Sequence, residues 1–454
     1  MTLSSSDESV LAPDAAHSWT YCSEPWQKFA LTVDGNIPRC FSSPGGPAGS
    51  LHATTDLLAL WNSESFQNFR AAVSEKEPAH SVCRRCPHIL SVGPVPFLTD
   101  PEGEESRTPY GQNIRLQRRE FESGEVVLRS LPSILHLEPS AYCNLDCIMC
   151  SQLNLKRSVN DQTVIEKFVS ASAPYATLIN WSGGEPLVQP SFKHFMRTFD
   201  PAGNPFLGLS LMTNGLVFDE RHMEFLPKFK RAAVCVSIDG TGPVYERIRV
   251  KGEWRRLEAN MKRLLILRDQ YSRFGVSAAF TIQKQNVREI ATFLRWCLEL
   301  RLPSVFMAVF SAPVPHRPDV FNHCERETEG WRDSLKDVIA LSEALDAATA
   351  EHIHPFGNTP LRATPYLSNY VNRILAAMDR AGSWPLRQVT LDVTQATERP
   401  ALFVFSRDGE DVAYALVDGS APFEVALPDG RFHVTGYPTP TSNRVVFRGK
   451  IEVA

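Results

Sequence analysis

Cys143-Asn144-Leu145-Asp146-Cys147-Ile148-Met149-Cys150 puts three cysteines on one short stretch, with three residues between the first pair and two between the second. Three thiolates so placed can hold three irons of a cubane cluster. An iron–sulfur cluster normally takes four cysteine ligands, so the loop leaves one iron open to another group. A strand and a helix further on stands a second short signal, Ser182-Gly183-Gly184-Glu185-Pro186.

Outward from this loop, strand-like runs alternate with helix-like ones. The strands are predicted at Ile134–Glu138, Thr177–Ser182, Leu207–Thr213, Ala233–Ile238, Val276–Gln283 and Val305–Phe310. Helical patterns fall near 160–171, 190–199, 219–230, 253–271 and 287–301. The last repeats Ile290, Phe293, Leu294, Cys297 and Leu298, with Asn286 as its expected N-cap. Alternating β and α implies a parallel sheet with helices outside, here an α/β fold with a partial (β/α)6 TIM-like barrel. The distinctive motifs all fall at C-terminal strand ends, where barrel enzymes assemble their active sites. Along the fourth strand Val234, Val236 and Ile238 share one face, and Ala233, Cys235, Ser237 and Asp239 the other. The fifth sets Val276, Phe280 and Ile282 against Ser277, Ala279, Thr281 and Gln283, and the first offers His136 and Glu138. A small, polar lumen is expected, either housing a ligand or closing as a hydrogen-bonded polar core.

The chain has 454 residues, enough for two or three domains. Its 47 basic and 51 acidic residues give a net charge of −4, which argues against a nucleic-acid footprint. Met1 to Ala16 carries no apolar core of a signal peptide. No apolar run reaches the ~20 residues that span a bilayer. A cytoplasmic location without nucleic-acid or membrane partners is expected. Seven of the ten cysteines sit in two groups with ligand-like spacing, which points to metal or redox chemistry more than to disulfides. The second group is Cys22, Cys40, Cys83 and Cys86. Asp34-Gly35 suits a hairpin turn presenting Cys40 beside Cys22. Four cysteines predict a closed site, an iron–sulfur cluster or a structural zinc. Cys297 reads as packing. Cys235 and Cys324 read as packing and a surface thiol.

With these motifs in order, the stretch 131 to 340 resembles the radical SAM superfamily. Cys143, Cys147 and Cys150 match its cluster loop. Gly183-Gly184-Glu185 matches the stretch where the family binds the methionine amino group of S-adenosylmethionine (SAM). Thr213-Asn214-Gly215 and Ser237-Ile238-Asp239-Gly240 match the ends of the third and fourth strands, followed by Tyr245-Glu246-Arg247-Ile248-Arg249. The resemblance implies a SAM-binding 4Fe–4S cluster on the three loop cysteines. It implies SAM contacts at Met149, Gly183, Gly184, Glu185, Asn214, Ser237, Asp239 and Arg249. Glu185 would face the ammonium and Arg249 the carboxylate, for which a planar fork of donors is suited. Asn214 and Ser237 suit hydroxyl and ribose contacts, and Met149 the adenine.

Cys22, Gly35-x4-Cys40, Leu60-Trp61, Phe69-Arg70 and Cys83-Arg84-Arg85-Cys86-Pro87 resemble a SPASM-type auxiliary-cluster domain. Here it precedes the barrel, and the longer seven-cysteine version is absent, so one second 4Fe–4S cluster is expected, with a role in electron transfer. The implied activity is SAM cleavage and hydrogen-atom abstraction from a peptide or protein side chain. Alternatives are a sugar or other small metabolite, or a non-catalytic metal-binding scaffold. A flavodoxin- or ferredoxin-type protein is the expected reductant. The expected organisation is a disordered 1–15, a SPASM-like 16–95, a linker 96–130, the barrel 131–340, a helical connector 341–384 and a β-rich domain 385–454. Short runs there, parted by Asp408-Gly409, Asp418-Gly419 and Asp429-Gly430, predict a small β-sandwich.

Overall fold

A computed structural model of the chain describes residues 22–40, 48–50, 56–74, 83, 101–150, 162–283, 285–308, 331–350, five residues between 363 and 371, and the strands between 386 and 453. The first strands are β1 (Lys28–Leu31), β2 (Asn36–Ile37) and β3 (Gly49–Ser50). The barrel strands follow as β4 (Ile134–Leu137), β5 (Leu178–Trp181), β6 (Gly208–Thr213), β7 (Arg231–Ser237), β8 (Phe274–Ile282) and β9 (Ser304–Ala308). The main sheet runs β1-β4-β5-β6-β7-β8-β9 and every adjacent pair is parallel. β4 to β9 are the six strands of a partial TIM-like barrel, each ending within two residues of its expected position.

The period of two sets which residues meet the outer helices. Val234, Val236 and Ile238 are wholly buried outward. Phe280 meets Phe293 of the helix Ile290–Glu299 at 4.7 Å. Trp181 points outward onto Phe192 and Phe195 of the helix Pro190–Thr198, both at 5.1 Å. Each such buried aromatic contributes on the order of 2 kcal/mol of apolar burial.

β1 extends the barrel sheet beyond the expected six strands. Lys28 to Leu31 pair in register with Ile134 to Leu137. The Ser133 N–H bonds the Gln27 carbonyl at 2.9 Å and the Glu138 N–H the Leu31 carbonyl at 2.8 Å, lengthening the ladder at both ends. Phe29 packs on Phe168 of the helix Gln162–Ser172 at 5.2 Å and on Trp61 at 5.8 Å. The cysteine-rich segment and the barrel thus share one core. Arg70 is fully buried within it and donates to the carbonyls of Pro25, Val126 and Trp61.

A helix, Pro109–Glu122, lies where the sequence reads as a linker, capped by Thr108, whose hydroxyl accepts the Gly111 N–H at 3.0 Å. Its buried Asn113 and Gln117 both donate to the Leu131 carbonyl, at 2.9 and 3.0 Å, and so anchor the chain entering β4. The expected N-cap at Asn286 is not made. The helix Ile290–Glu299 is preceded by a 3-10 turn, Val287–Glu289, and Asn286 makes no side-chain cap. Its amide instead bonds the Gln283 N–H and the carbonyls of Asp239 and Thr281, joining the ends of β7 and β8.

In the C-terminal part, β10 (Leu386–Leu391) pairs with β13 (Phe423–Pro428), antiparallel. β11 (Leu402–Arg407), β12 (Glu410–Leu416), β14 (Gly430–Tyr437) and β15 (Phe447–Val453) form a second antiparallel sheet, ordered β12-β11-β14-β15. The last strand begins at Phe447. No helix among the described residues is long and apolar enough to cross a membrane.

Candidate cofactor-binding site

The cysteine loop leaves the C-terminal end of β4 and is held on both flanks by backbone. The Gly184 N–H bonds the Ser140 carbonyl at 2.9 Å and the Glu185 N–H the Tyr142 carbonyl at 2.8 Å. This approach is so close that a Cβ on Gly184 would lie 2.2 Å from the Tyr142 oxygen. Gly183 has φ +92°, a left-handed conformation that disfavours side chains, and a Cβ there would lie 2.7 Å from the Ser140 oxygen. On the other flank the N–H groups of Asp146 and Ile148 bond the carbonyls of Val250 and Ile248, both at 3.0 Å.

Cys147 is buried, and Cys143 and Cys150 are half-buried. Burial pushes the Cys147 thiol up to about 11 against the pull of Arg249, and burial also raises Cys143. Cys147 lies within electrostatic reach of both other thiols. Among the described residues no three His, Cys, Asp or Glu side chains close on a single ion. A cubane spreads its ligand sulfurs over separate corners and suits a looser triad. Iron would displace the thiol protons.

Arg249 stands behind the loop. Its Nη1 lies 3.9 Å from the Cys147 sulfur and its Nη2 2.5 Å from Asp239 Oδ2. Burial alone would depress the guanidinium pKa. Asp239 above all, then Cys147, more than reverses this and holds Arg249 charged. Asp239 is wholly buried at φ +61°, and its Oδ1 accepts the Thr281 N–H at 2.6 Å. Arg249 Nε is shut off from solvent and, among the described residues, has no hydrogen-bond partner. An orphaned buried donor of this kind fits a ligand carboxylate.

Glu185 is 1% exposed and both its carboxylate oxygens accept from the protein. It accepts from the Thr213 hydroxyl at 2.7 Å, the Asn214 N–H at 2.6 Å and the Leu187 N–H at 3.1 Å. Burial raises its pKa despite these bonds. Asn214 reaches the cluster loop, donating to Asn144 Oδ1 at 2.8 Å. Ser237 lies half-buried on the lumen side and makes no side-chain hydrogen bond among the described residues. Met149 is buried against the core.

Below these groups the lumen is polar and stepped. His136, Asn180, Ser210, Ala233 and Gly275 share one register across β4 to β8. Met212, Cys235 and Ser277 share the next. Met212 is 40% exposed although apolar, so the space beside it is open. Burial raises the Cys235 thiol while Ser277 opposes it. Cys297, outside the barrel, is wholly buried and pushed up to about 12. Asn180 and Ser182 were missed from sequence, although they follow the same alternation as His136 and Glu138.

Cys22, Cys40 and Cys83 are half-buried and pack against the core. Cys22 precedes β1, so it lies at the end of the sheet opposite the cluster loop. Cys86 and Cys324 lie outside the described residues.

Residues 137–297 match the family model of the radical SAM superfamily, and residues 22–87 that of SPASM, an iron–sulfur cluster-binding domain. The second match runs from Cys22 to Pro87 and favours iron–sulfur over zinc. The chain therefore carries a radical SAM domain and, before it, a SPASM domain, and the cofactors that go with these domains are 4Fe–4S clusters and SAM. It is similar to the sporulation killing factor maturation protein SkfB of Bacillus subtilis (strain 168). The two are 24% identical over 171 residues, 37% of this chain and 40% of that protein. The chain thus spans about two fifths of the curated relative. Among solved structures it is similar to SuiB of Streptococcus suis bound to SAM, with TM-score 0.38 and 14% identity over 62% of this chain and 63% of that one. It is also similar to anSMEcpe with bound SAM and a peptide, with TM-score 0.34 and 17% identity over 48% and 61%.

Proposed function

We propose that the chain modifies a peptide or protein side chain, beginning with removal of a hydrogen atom. When bound, the reduced cluster and SAM supply the one-electron chemistry for that removal. Cys143, Cys147 and Cys150 hold the cluster and leave one iron for SAM. Arg249, kept charged by Asp239, binds and orients the SAM carboxylate. Ser237 is free to meet the ribose, and Asn214 holds the loop in place. The small polar lumen admits the substrate and keeps bulk water out. The resemblance to a maturation protein supports a polypeptide substrate over a sugar or small metabolite.

The observation that carries this reading is the buried Arg249 Nε, without a hydrogen-bond partner among the described residues, beside the three-cysteine loop. The position of Cys22 before β1, at the far end of the sheet from the cluster loop, supports an electron-transfer role for the auxiliary cluster. A flavodoxin- or ferredoxin-type protein would supply the electron. Anaerobic reconstitution with iron, sulfide, SAM and dithionite tests the proposal. The wild type should release 5′-deoxyadenosine, and Cys147→Ala should release none while keeping the N-terminal cluster absorption. Cleavage retained by Cys147→Ala would remove the assignment.

A further inference from the structure

Residues 246–256 carry five basic and two acidic side chains, in a chain where acids outnumber bases by 51 to 47. They join the helix Gly242–Ile248 to the helix Trp254–Gln270. One of the five bases is the buried Arg249; Arg247, Lys251, Arg255 and Arg256 are exposed. The three arginines of this exposed set pair with no carboxylate among the described residues. Elsewhere Lys28, Lys230, Arg221, Arg263 and Arg268 each sit on a carboxylate, at distances between 2.7 and 3.1 Å. Glu246 does not offset the arginines by pairing with one, because its Oε1 accepts the Trp254 N–H at 3.0 Å. That bond holds the last turn of the first helix against the first turn of the second, which gathers Arg247, Arg255 and Arg256. Trp254 fixes the turn further, packing on Tyr245 at 5.5 Å and on Trp296 at 5.4 Å. The result is a local positive field on a chain of negative net charge.

The same segment is bonded to the cysteine loop. The carbonyls of Ile248 and Val250 accept the N–H groups of Ile148 and Asp146, both at 3.0 Å, and Lys251 Nζ pairs with Asp146. Val250 is 38% exposed although apolar. Asp146 directly precedes Cys147 in the chain. One hydrogen bond and one residue thus separate the backbone of an exposed position from a cysteine of the loop.

We propose that Arg247, Val250, Arg255 and Arg256 form the docking face for an acidic one-electron carrier protein, which delivers its electron to the cluster on the cysteine loop. The carrier is oxidised by one electron, the cluster is reduced by one, and no bond forms or breaks. The arginines set the rate of encounter with an acidic surface. The backbone bond to the cysteine loop favours an electron donor over any other acidic partner. This rests on the reading of that loop as the site of the first cluster.

The test uses the reconstituted full-length protein, mixed anaerobically in a stopped-flow cell with a purified, reduced flavodoxin. It follows the part of the cluster absorption that Cys147→Ala lacks. Reversing three charges together, Arg247→Glu, Arg255→Glu and Arg256→Glu, should lower the second-order rate constant about tenfold or more at low salt, as loss of electrostatic steering does. The gap should close to about threefold or less near ~0.5 M salt, where such fields are screened. Reduction by photoreduced 5-deazariboflavin, which needs no docking face, should match the wild type. A control set makes the same change in net charge elsewhere: Arg115→Glu, Lys193→Glu and Arg197→Glu, on the helices Pro109–Glu122 and Pro190–Thr198. It should keep a rate near that of the wild type. An unchanged flavodoxin rate in the first set overturns the proposal, as does an equal loss in the control set. If the reversals also slow deazariboflavin, the milder set Arg247→Gln, Arg255→Gln and Arg256→Gln decides by the same comparison. A wild type whose loop cluster neither reductant reduces overturns the site itself, and this inference with it.

Discussion

Arg70→Met should unlock the N-terminal part of the molecule. The guanidinium is fully buried and donates at 2.9 Å to Pro25, 2.9 Å to Val126 and 2.8 Å to Trp61, all backbone carbonyls. Its Cζ also lies 4.4 Å from the Trp61 ring centroid and 5.3 Å from that of Phe66. Methionine fills similar space but donates nothing. Each buried carbonyl left without a donor costs about 1–3 kcal/mol. Val126 is partly accessible and can recruit water, so two full penalties apply. Loss of the ring contact adds about 1–2 kcal/mol. Relief from burying a charge offsets part of the sum. The net expectation is a loss of about 4 kcal/mol, large beside the ~5–15 kcal/mol that holds a typical domain folded. Urea unfolding followed by tryptophan fluorescence would read it, because Trp26 and Trp61 both lie in the affected core. Auxiliary-cluster absorption should fall in parallel. Arg70→Lys should recover a minor part, since one compact ammonium cannot reach three diverging carbonyls. A loss below about 1 kcal/mol for Arg70→Met would refute the reasoning and show the carbonyls to be satisfied otherwise.

Two more perturbations test the frame around the site. Gly184→Ala places a carbon 2.2 Å from a backbone oxygen that cannot swing away, so the loop must shift. We expect destabilisation by about 1–3 kcal/mol from overpacking and failure to load the first cluster; normal loading would show the loop to be pliant. The second is a pH effect at His222, which sits buried with its Nε2 unpartnered. Burial lowers its pKa below the ordinary 6.5, although Asp219 opposes this. The folded chain therefore binds fewer protons there than the unfolded one. Stability from this group is complete above about pH 6.5 and drains away as pH falls towards the lowered folded value. Thermal midpoints between pH 7.5 and 5.5 should decline in the wild type and decline less in His222→Gln. Equal slopes would exclude His222 as the cause.

Where one period dominated, the sequence was easy to read. In β7 the split between Val234, Val236 and Ile238 and the set Ala233, Cys235 and Ser237 is clean, and the faces fall as expected. The helix Pro109–Glu122 was hidden because its inner face is built from Asn113, Gln117 and Glu120 as well as Tyr110 and Ile114, so its apolar stripe is broken. β1 has four residues, too few for a pattern, and its parallel pairing with β4 is a long-range contact that no local signal encodes. At the site, cysteine spacing marked the loop, and the resemblance pointed to the glycine turn and Arg249. The partners that hold Glu185, the Thr213 hydroxyl and the N–H groups of Asn214 and Leu187, are not shown by one sequence. Asn286 has the chemistry of a helix cap, but three backbone groups of neighbouring strand ends compete for its amide and win.

The strand Lys28–Leu31 is made roughly a hundred residues before Ile134–Leu137, its neighbour in the sheet. During synthesis the early segment leaves the ribosome with one ladder edge and the aromatic side of Phe29 uncovered, and it must wait for the later strand. Cys22, just upstream, cannot be enclosed until that partner arrives. Iron delivery to the amino-terminal centre is then expected to follow the start of barrel assembly, and a nascent chain stalled before residue 134 would leave its thiols unprotected.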